Sequence, residues 1–412
     1  MMNETYSQNR YGISRTNYII IQLHAVMIIV GFMFLHSVLG FVMSETGRTV
    51  SFIFRGCQLL LSLYVIILCH KDLRIKWKQD LLAFLLLFMV LYSLRVFYDS
   101  YAGPFVAQIP SSVFFENILS IIVSTFISSY AMMVTRRYLD INIISKMVFW
   151  GGLVSLIGAV KQALNLGIVL QEDRLETGGA FGVLQIAQMC AFVALSGFHL
   201  LLNSQKKWLR LIYLGGIAVS FVVAMATGAR GSVLGTISAV SIYLVVSSRK
   251  NILLLLLAIL AIVLAYINLV PILNWMSDYF PIFSGRMLET VVDKSTGGRD
   301  PLYELSKQLI MENPIFGYSY RLNTDATGYT THNGILDIML ALGIPMGLLF
   351  TFIFYIKGFI MIIKKMPDKQ LVFASSMAVF SLVASLSGSS ITSPAFCFSI
   401  CLFGSAYYYK KK

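Results

Sequence analysis

Apolar residues run in blocks of about twenty with short polar breaks, and the pattern recurs about twelve times along the chain. A block of that length spans the hydrocarbon core as an α-helix, because backbone polar groups cannot stay unpaired in lipid. The spans are predicted near residues 18–43, 50–70, 79–98, 113–134, 143–163, 179–202, 208–226, 230–247, 251–273, 332–357, 370–387 and 391–409. The expectation is an all-α polytopic membrane protein of about twelve transmembrane helices. One polar break departs from the rest. Residues 275–331 hold Arg286, Lys294, Arg299, Lys307 and Arg321 against seven carboxylates, with Tyr279, Tyr303, Tyr318, Tyr320 and Tyr329 interleaved. A connection this long without a span of its own is functional or disordered. Its aromatic content, and helical runs such as 302–311, predict order. The chain therefore divides into spans one to nine (1–274), a large, partly helical external loop (275–331) and spans ten to twelve (332–412).

Composition removes the soluble classes. Hydrophobic residues make up 57% of the chain and charged residues 12%, with a mean hydropathy of +0.77. A polar N-terminus, followed by an apolar run too long for an h-region, predicts no cleavable signal peptide. Of the 32 Lys and Arg residues, 21 fall in the alternate segments that begin with the N-terminal tail and 8 in the opposite ones. By the positive-inside rule both termini are cytoplasmic and the large loop faces outward. The net charge of +13 is then a topology signal aided by anionic lipid, not a nucleic-acid footprint. Cys57, Cys69, Cys190, Cys397 and Cys401 all lie in or at the edge of spans, so no disulfide is expected. Cys397 and Cys401 sit one helical turn apart and read as small apolar residues before they read as a metal pair.

The remaining cations carry the candidate chemistry. Arg55, Arg95 and Lys161 lie in or near the ends of spans, where a charge is costly unless it snorkels or is paired, and Asp99 stands four residues after Arg95. Arg230 sits in Ala226-Thr227-Gly228-Ala229-Arg230-Gly231-Ser232, a tight outer turn at the start of span eight. Helix starts offer unpaired N–H groups, and the guanidinium fork engages phosphate bidentately; an interfacial anchor is the plainer alternative. Arg299 lies in Thr296-Gly297-Gly298-Arg299-Asp300-Pro301, ahead of a helix for which Pro301 suits the first turn and Asp300 the N-cap. A solvated loop arginine is the plainer reading there. His332 opens span ten with Thr331 as N-cap, where the positive helix end lowers proton affinity and keeps the imidazole neutral, fit to accept a proton from a sugar hydroxyl. His24, His36, His70 and His199 read as packing or interfacial residues. No second ligand stands near His332 at metal spacing except Asp337, expected on another face, so no metal site is predicted.

At these residues the sequence resembles the O-antigen polymerase and O-antigen ligase superfamily of bacterial envelope polysaccharide enzymes. Residues 226–235 (ATGARGSVLG) resemble its Ser/Thr-Arg-Gly/Ala-small turn after a span. Residues 298–318 (GRDPLYELSKQLIMENPIFGY) resemble its Arg-led external helix followed by Asn-Pro-aliphatic-Phe-Gly. Residues 331–350 (THNGILDIMLALGIPMGLLF) resemble its His-Asn helix with a glycine about ten residues on. The resemblance covers residues 179–360, and the N-terminal half only by topology. It departs at Met346, where many members carry a glycine three residues after the one that matches Gly343.

The resemblance implies glycosyl transfer on the outer face of the inner membrane from an undecaprenyl-pyrophosphate-linked oligosaccharide, with no cofactor, nucleotide sugar or metal. Arg230 and Arg299 match the family's leaving-group arginines, and His332 matches its proposed base for inverting attack. Arg286 and Arg321 are further candidates for the cation cluster, with Tyr303 and Asn333 as substrate contacts. Partners implied are membrane lipid and the lipid-linked glycan, with a chain-length regulator protein as a candidate. Polymerase is favoured over ligase because repeat-unit polymerases are the more numerous and divergent group. The alternative from another class is a twelve-span lipid-linked oligosaccharide flippase, which predicts two similar halves and a charged midplane cavity. No such repeat relates 1–206 to 207–412. Convergence of Arg230, Arg299 and His332 at the outer boundary separates the two classes.

Overall fold

A computed structural model describes residues 13–412 except 40–46, 73–79, 105–110, 166–174, 176–181, 248–259, 261–262, 265–266, 294–298, 323–330, 365–367, 389 and 411–412. Lys294, the turn 296–298, Tyr329 and most of the span expected at 251–273 lie outside the described residues. Within them, nine helices are long and apolar enough to cross a membrane and two shorter apolar helices accompany them. The protein is an all-α polytopic membrane protein.

The helices are α1 (Arg15–Val38), α2 (Val50–Cys69), α3 (Leu81–Ala102), α4 (Phe115–Val134), α5 (Ile141–Asn165), α6 (Val183–Asn203) and α7 (Lys207–Ala226). They continue as α8 (Arg230–Ser247), α9 (Leu269–Met276), α10 (Pro281–Val291) and α11 (Asp300–Glu312). The last are α12 (Gly334–Ile363), α13 (Lys369–Leu386) and α14 (Pro394–Lys410). Residues 275–331 thus contribute α10 and α11.

The most buried helix is α13, against which α8, α14 and α6 pack. Its Ala- and Ser-rich sequence lets neighbouring backbones come close, as membrane interfaces need where lipid supplies no hydrophobic drive between helices. Gly231 and Gly235 form a GxxxG pair on α8. A Cβ on Gly231 would overlap Ser387 Oγ, and one on Gly235 would crowd the Phe380 carbonyl oxygen at 3.1 Å. This close approach brings the start of α8 to the end of α13.

A second device shapes the end of the bundle that carries α10 and α11. Helix α12 is broken at Gly343, with φ 86° and ψ 168°, a region essentially reserved for glycine. Pro345 follows, as expected where a helix is interrupted. The freed backbone groups are taken by residues 314–319: Ile344 N–H donates to Pro314 O at 2.7 Å, while Leu340 O accepts from Tyr318 and Ser319 N–H at 2.7 and 3.1 Å. Gly317 (φ 78°) lies against Ala341, with no room for a Cβ. The Asn-Pro-Ile-Phe-Gly stretch and the Gly343 break are two halves of one joint. Met346, in place of the expected glycine, is buried beside the break, and Gly347 makes room for Met339.

Arg95 and Asp99 on α3 complete the joint. The pair is bonded at 3.0 Å, and Arg95 also donates to the carbonyls of Phe316 and Gly317, both at 3.2 Å, and to Tyr318 O. Asp99 accepts from Tyr320 N–H at 2.7 Å. A span cation with an obvious local partner proves to hold the loop more than two hundred residues away.

Cys397 and Cys401 turn their thiols to Ile391 O and Ser129 O, each at 3.7 Å, as small packing residues do.

Gly343→Ala is expected to destabilise the protein by about 1–3 kcal/mol or more, through φ strain and overlap with Ile315 O. Gly285→Ala on α10, where a Cβ meets open space, should be neutral or stabilise by up to about 1 kcal/mol. Melting temperatures in detergent check both. Equal stability of Gly343→Ala and the parent would remove the joint from the account of the fold.

Candidate active site

Four of the residues singled out in the sequence meet where α8 and α12 start and α13 ends. Arg230, first residue of α8, reaches α10: its guanidinium donates to Arg286 O at 2.5 Å and to the Thr290 hydroxyl. Arg286 returns the link, donating to Gly228 O at 2.9 Å. Arg299, at the start of α11, donates to Ser387 O at 2.8 Å, just past the end of α13. Arg230 lies within electrostatic reach of both Arg286 and Arg299. The position after Ser387 is Gly388 (φ 141°), where a Cβ would stand 3.4 Å from the Arg299 guanidinium.

His332 completes the group. It is the one non-glycine residue with positive φ (56°) among the described residues, a conformation that surroundings must enforce. Burial, then the positive charge of Arg299, holds its imidazole below the ordinary value, against a hydrogen bond with the Gly388 backbone that raises it. That direction favours the neutral ring.

The local caps differ from the sequence expectation. Asn333, not Thr331, is the N-cap of α12, its side chain accepting from Ile335 and Leu336 N–H at 3.1 and 3.3 Å. An Asn-Gly pair at a helix start is the signal for this, since Asn caps as well as Thr. His332 therefore precedes the helix instead of opening it, and burial replaces the helix dipole as the chief reason for its neutrality. Asn333 spends its side-chain oxygen on the cap, a structural use beside the substrate contact expected of it. Asp300 is likewise the first helical residue of α11, and Arg299 holds the cap position without a side-chain cap bond.

Thr331 has a different task. Its N–H and hydroxyl both donate to Asp337 Oδ1, at 2.8 and 2.7 Å, and its Oγ1 accepts from Asn333 N–H at 3.1 Å. Asp337 is thus bonded to the residue before His332, which fixes the strained turn. Sequence reasoning placed this carboxylate on another face of the helix. Its burial within an apolar helix was the available signal.

Arg321 sits elsewhere. It donates to Asn117 Oδ1 at 2.5 Å and lies 5.7 Å from the Tyr320 ring centre, and Asn117 also donates to the Tyr320 hydroxyl at 3.2 Å. No hydrogen bond among the described residues joins it to the other arginines. Tyr92 on α3 lies within electrostatic reach of Arg321, Asp99 and Asp337, so this group adjoins the support of His332. Tyr303, on the first turn of α11, is half-buried, and no hydrogen bond among the described residues joins its side chain to the arginines. Trp275 and Tyr279 form an exposed aromatic pair, with ring centres 5.5 Å apart, at the start of the loop.

Arg230 and Arg299 form no ion pair among the described residues; carbonyls orient them without cancelling their charge. Three guanidinium groups beside a neutral imidazole suit a dianionic leaving group and a hydroxyl that must lose a proton.

Residues 215–351 match the family model described as O-Antigen ligase. No curated protein and no solved structure matches the chain. The matched stretch contains Arg230, Arg286, Arg299 and His332.

Asp337→Ala should cost about 1–3 kcal/mol, because it leaves the buried Thr331 donors unsatisfied. Asp337→Asn keeps an acceptor oxygen and should retain most of the stability. Thermal melts of the two variants are the check, and equal losses would mean that the Thr331 bonds do not hold the turn.

Proposed function

We propose that the chain is a surface-polysaccharide polymerase of the O-antigen polymerase and ligase superfamily, a reading supported by the match of residues 215–351 to the O-Antigen ligase family model. It transfers an undecaprenyl-pyrophosphate-linked glycan to a second lipid-linked repeat unit. The observation that carries this reading is the convergence of Arg230, Arg286 and Arg299 on the side of His332. That convergence favours a transferase over a flippase, which would instead spread charge along a midplane path.

In this mechanism the lipid carrier lies with its pyrophosphate at the outer headgroup level and the anomeric carbon facing the acceptor. Arg230 and Arg299 stabilise the charge that grows on the pyrophosphate as the glycosidic C–O bond breaks, a role that a metal ion fills in other enzymes. His332 accepts the proton of the acceptor hydroxyl as its oxygen attacks from the opposite face, so the anomeric configuration inverts. Arg286 holds Arg230 in place and adds to the field, while Trp275 and Tyr279 offer a stacking face for sugar. The enzyme acts from the periplasmic side of the inner membrane, with both termini in the cytoplasm. The ligase reading, with lipid A–core as acceptor, is favoured by one observation: the description of the matching family.

Deletion of the gene, followed by gel analysis of surface polysaccharide, decides between them. Lipid A–core carrying a single repeat unit marks a polymerase. Loss of all attached O-antigen, with polymer left on the carrier, marks a ligase.

Arg230→Ala and Arg299→Ala are each expected to lower transfer by about 10²–10³, with membrane insertion unchanged, and lysine should rescue poorly because a point charge cannot replace the fork. Full activity of Arg299→Ala would take that residue out of the mechanism. His332→Ala should lose about 10²–10⁴ in rate. His332→Gln, which cannot take up a proton, should be as slow; a Gln variant within a few fold of the parent would end the base assignment.

The pH profile tests the same residue. A base must be neutral, and the His332 imidazole titrates below its ordinary value. Activity should therefore persist below the ordinary imidazole range and fall only at lower pH. Arg299→Gln removes a cation that lowers proton affinity, so the acid limb of its residual activity should move up. An unmoved limb would show that another group titrates.

A further inference from the structure

A cleft of about 870 Å³ opens at the other ends of α7 and α13, a membrane thickness away from the arginines. It is built where α5, α6, α7 and α13 begin or end. Two ammonium groups stand at its mouth, Lys146 from α5 and Lys369 from the first turn of α13, both exposed. Neither forms an ion pair among the described residues. The carboxylate that also lines the cleft, Asp368, is committed as the N-cap of α13, accepting from Gln370 N–H at 2.7 Å.

The floor is polar. His199 is buried, and its ring nitrogens are engaged by the Tyr243 hydroxyl at 3.2 Å, Asn203 Nδ2 at 3.3 Å and Asn142 Oδ1 at 3.4 Å. The arrangement thus offers fixed amides under a pair of cations, which suits an oxyanion with neighbouring hydroxyls and not a catalytic step. One wall is apolar, formed by Leu209 and Tyr213 of α7. The same helix turns Trp208 and Leu211 outward, 58% and 69% exposed, toward the lipid. Trp beside lysines at the end of a span marks the headgroup level. A soluble anion would gain nothing from that outer surface, whereas an acyl chain would.

We propose that this cleft binds the phosphodiester headgroup of an anionic membrane lipid, with Lys146 and Lys369 on the phosphate. The amides of Asn142 and Asn203 face the headgroup hydroxyls, and an acyl chain follows the Trp208–Leu211 surface of α7. The side is the one rich in Lys and Arg, where anionic headgroups meet basic pockets between helices. The site lies at the far end of α13 from the glycosyl-transfer site and does not depend on the activity assigned there.

The test uses the full-length protein in detergent, with native mass spectrometry to count retained lipid and a melting curve as second readout. Phosphatidylglycerol, phosphatidylcholine and inorganic phosphate are compared. The expected result is retention and a raised melting temperature with phosphatidylglycerol only. Each lysine contributes about five-fold in affinity, so the double variant Lys146→Gln/Lys369→Gln should lose about 25-fold. The double arginine variant should keep binding, and Lys207→Gln, an exposed lysine outside the cleft, should leave it unchanged. Equal retention of phosphatidylcholine, equal protection by inorganic phosphate, or undiminished binding in the double glutamine variant would each overturn the proposal.

Discussion

A helix broken inside a membrane must have its loose backbone groups satisfied by protein, and the break at Gly343 organises the half of this molecule that holds α10 and α11. Opening α12 releases the Ile344 N–H and leaves Leu340 O without its helical donor, and both are claimed by residues 314–319. The loop in turn exposes its own carbonyls, at Phe316, Gly317 and Tyr318, and these are claimed by Arg95. Each unsatisfied group is answered by the next, so the loop cannot leave without stranding several polar groups in lipid. That cost, not the apolar contact alone, fixes the external segment on the bundle. Leu309, Ile310, Leu322 and Leu340 then seal α11 against α12.

The position of the chemistry follows from this docking. With the end of α11 tied to the break, its start is carried over the end of α13, where Arg299 finds Ser387 O. The GxxxG contact of α8 with α13 delivers Arg230 to the same corner from the other side. Both arginines are placed by backbone approaches that only glycine permits, at Gly231, Gly235 and Gly343.

How far this was legible in the sequence differs by element. The spans were read from the length of the apolar runs, a signal that needs no tertiary knowledge, and their ends shifted by a few residues because caps set them. Arg230, Arg299 and His332 stood out as polar residues where topology gave no reason for them, and the fold brings them together. The caps were less legible, since Thr331, Asn333 and Asp300 are all competent and packing chose among them. The role of Arg95 was hidden for another reason. Asp99 one turn away explained it locally, and nothing in the sequence shows that a carboxylate and a guanidinium can serve each other and a distant loop at once. The Gly343-Ile344-Pro345 stretch did carry a readable break signal, although the partner that satisfies it could only come from the fold.

The treatment of charge separates scaffold from site. Where the protein needs a cation only to hold itself together, it supplies a carboxylate: Arg95 with Asp99, and Arg136 with Asp80 at 2.6 Å where Asp80 also caps α3. At the corner of α8, α11 and α13 it supplies carbonyls instead. Carbonyls fix the direction of the Arg230 and Arg299 guanidinium groups, and Arg230 feels a repulsion from Arg286 and Arg299 that Glu289 offsets in part. Such repulsion would be relieved by an arriving anion. At His332 the charge of Arg299 adds to burial, the larger cause, in lowering the proton affinity of the ring. The corner is therefore a place where a negative group is favoured and a proton on the neighbouring imidazole is not.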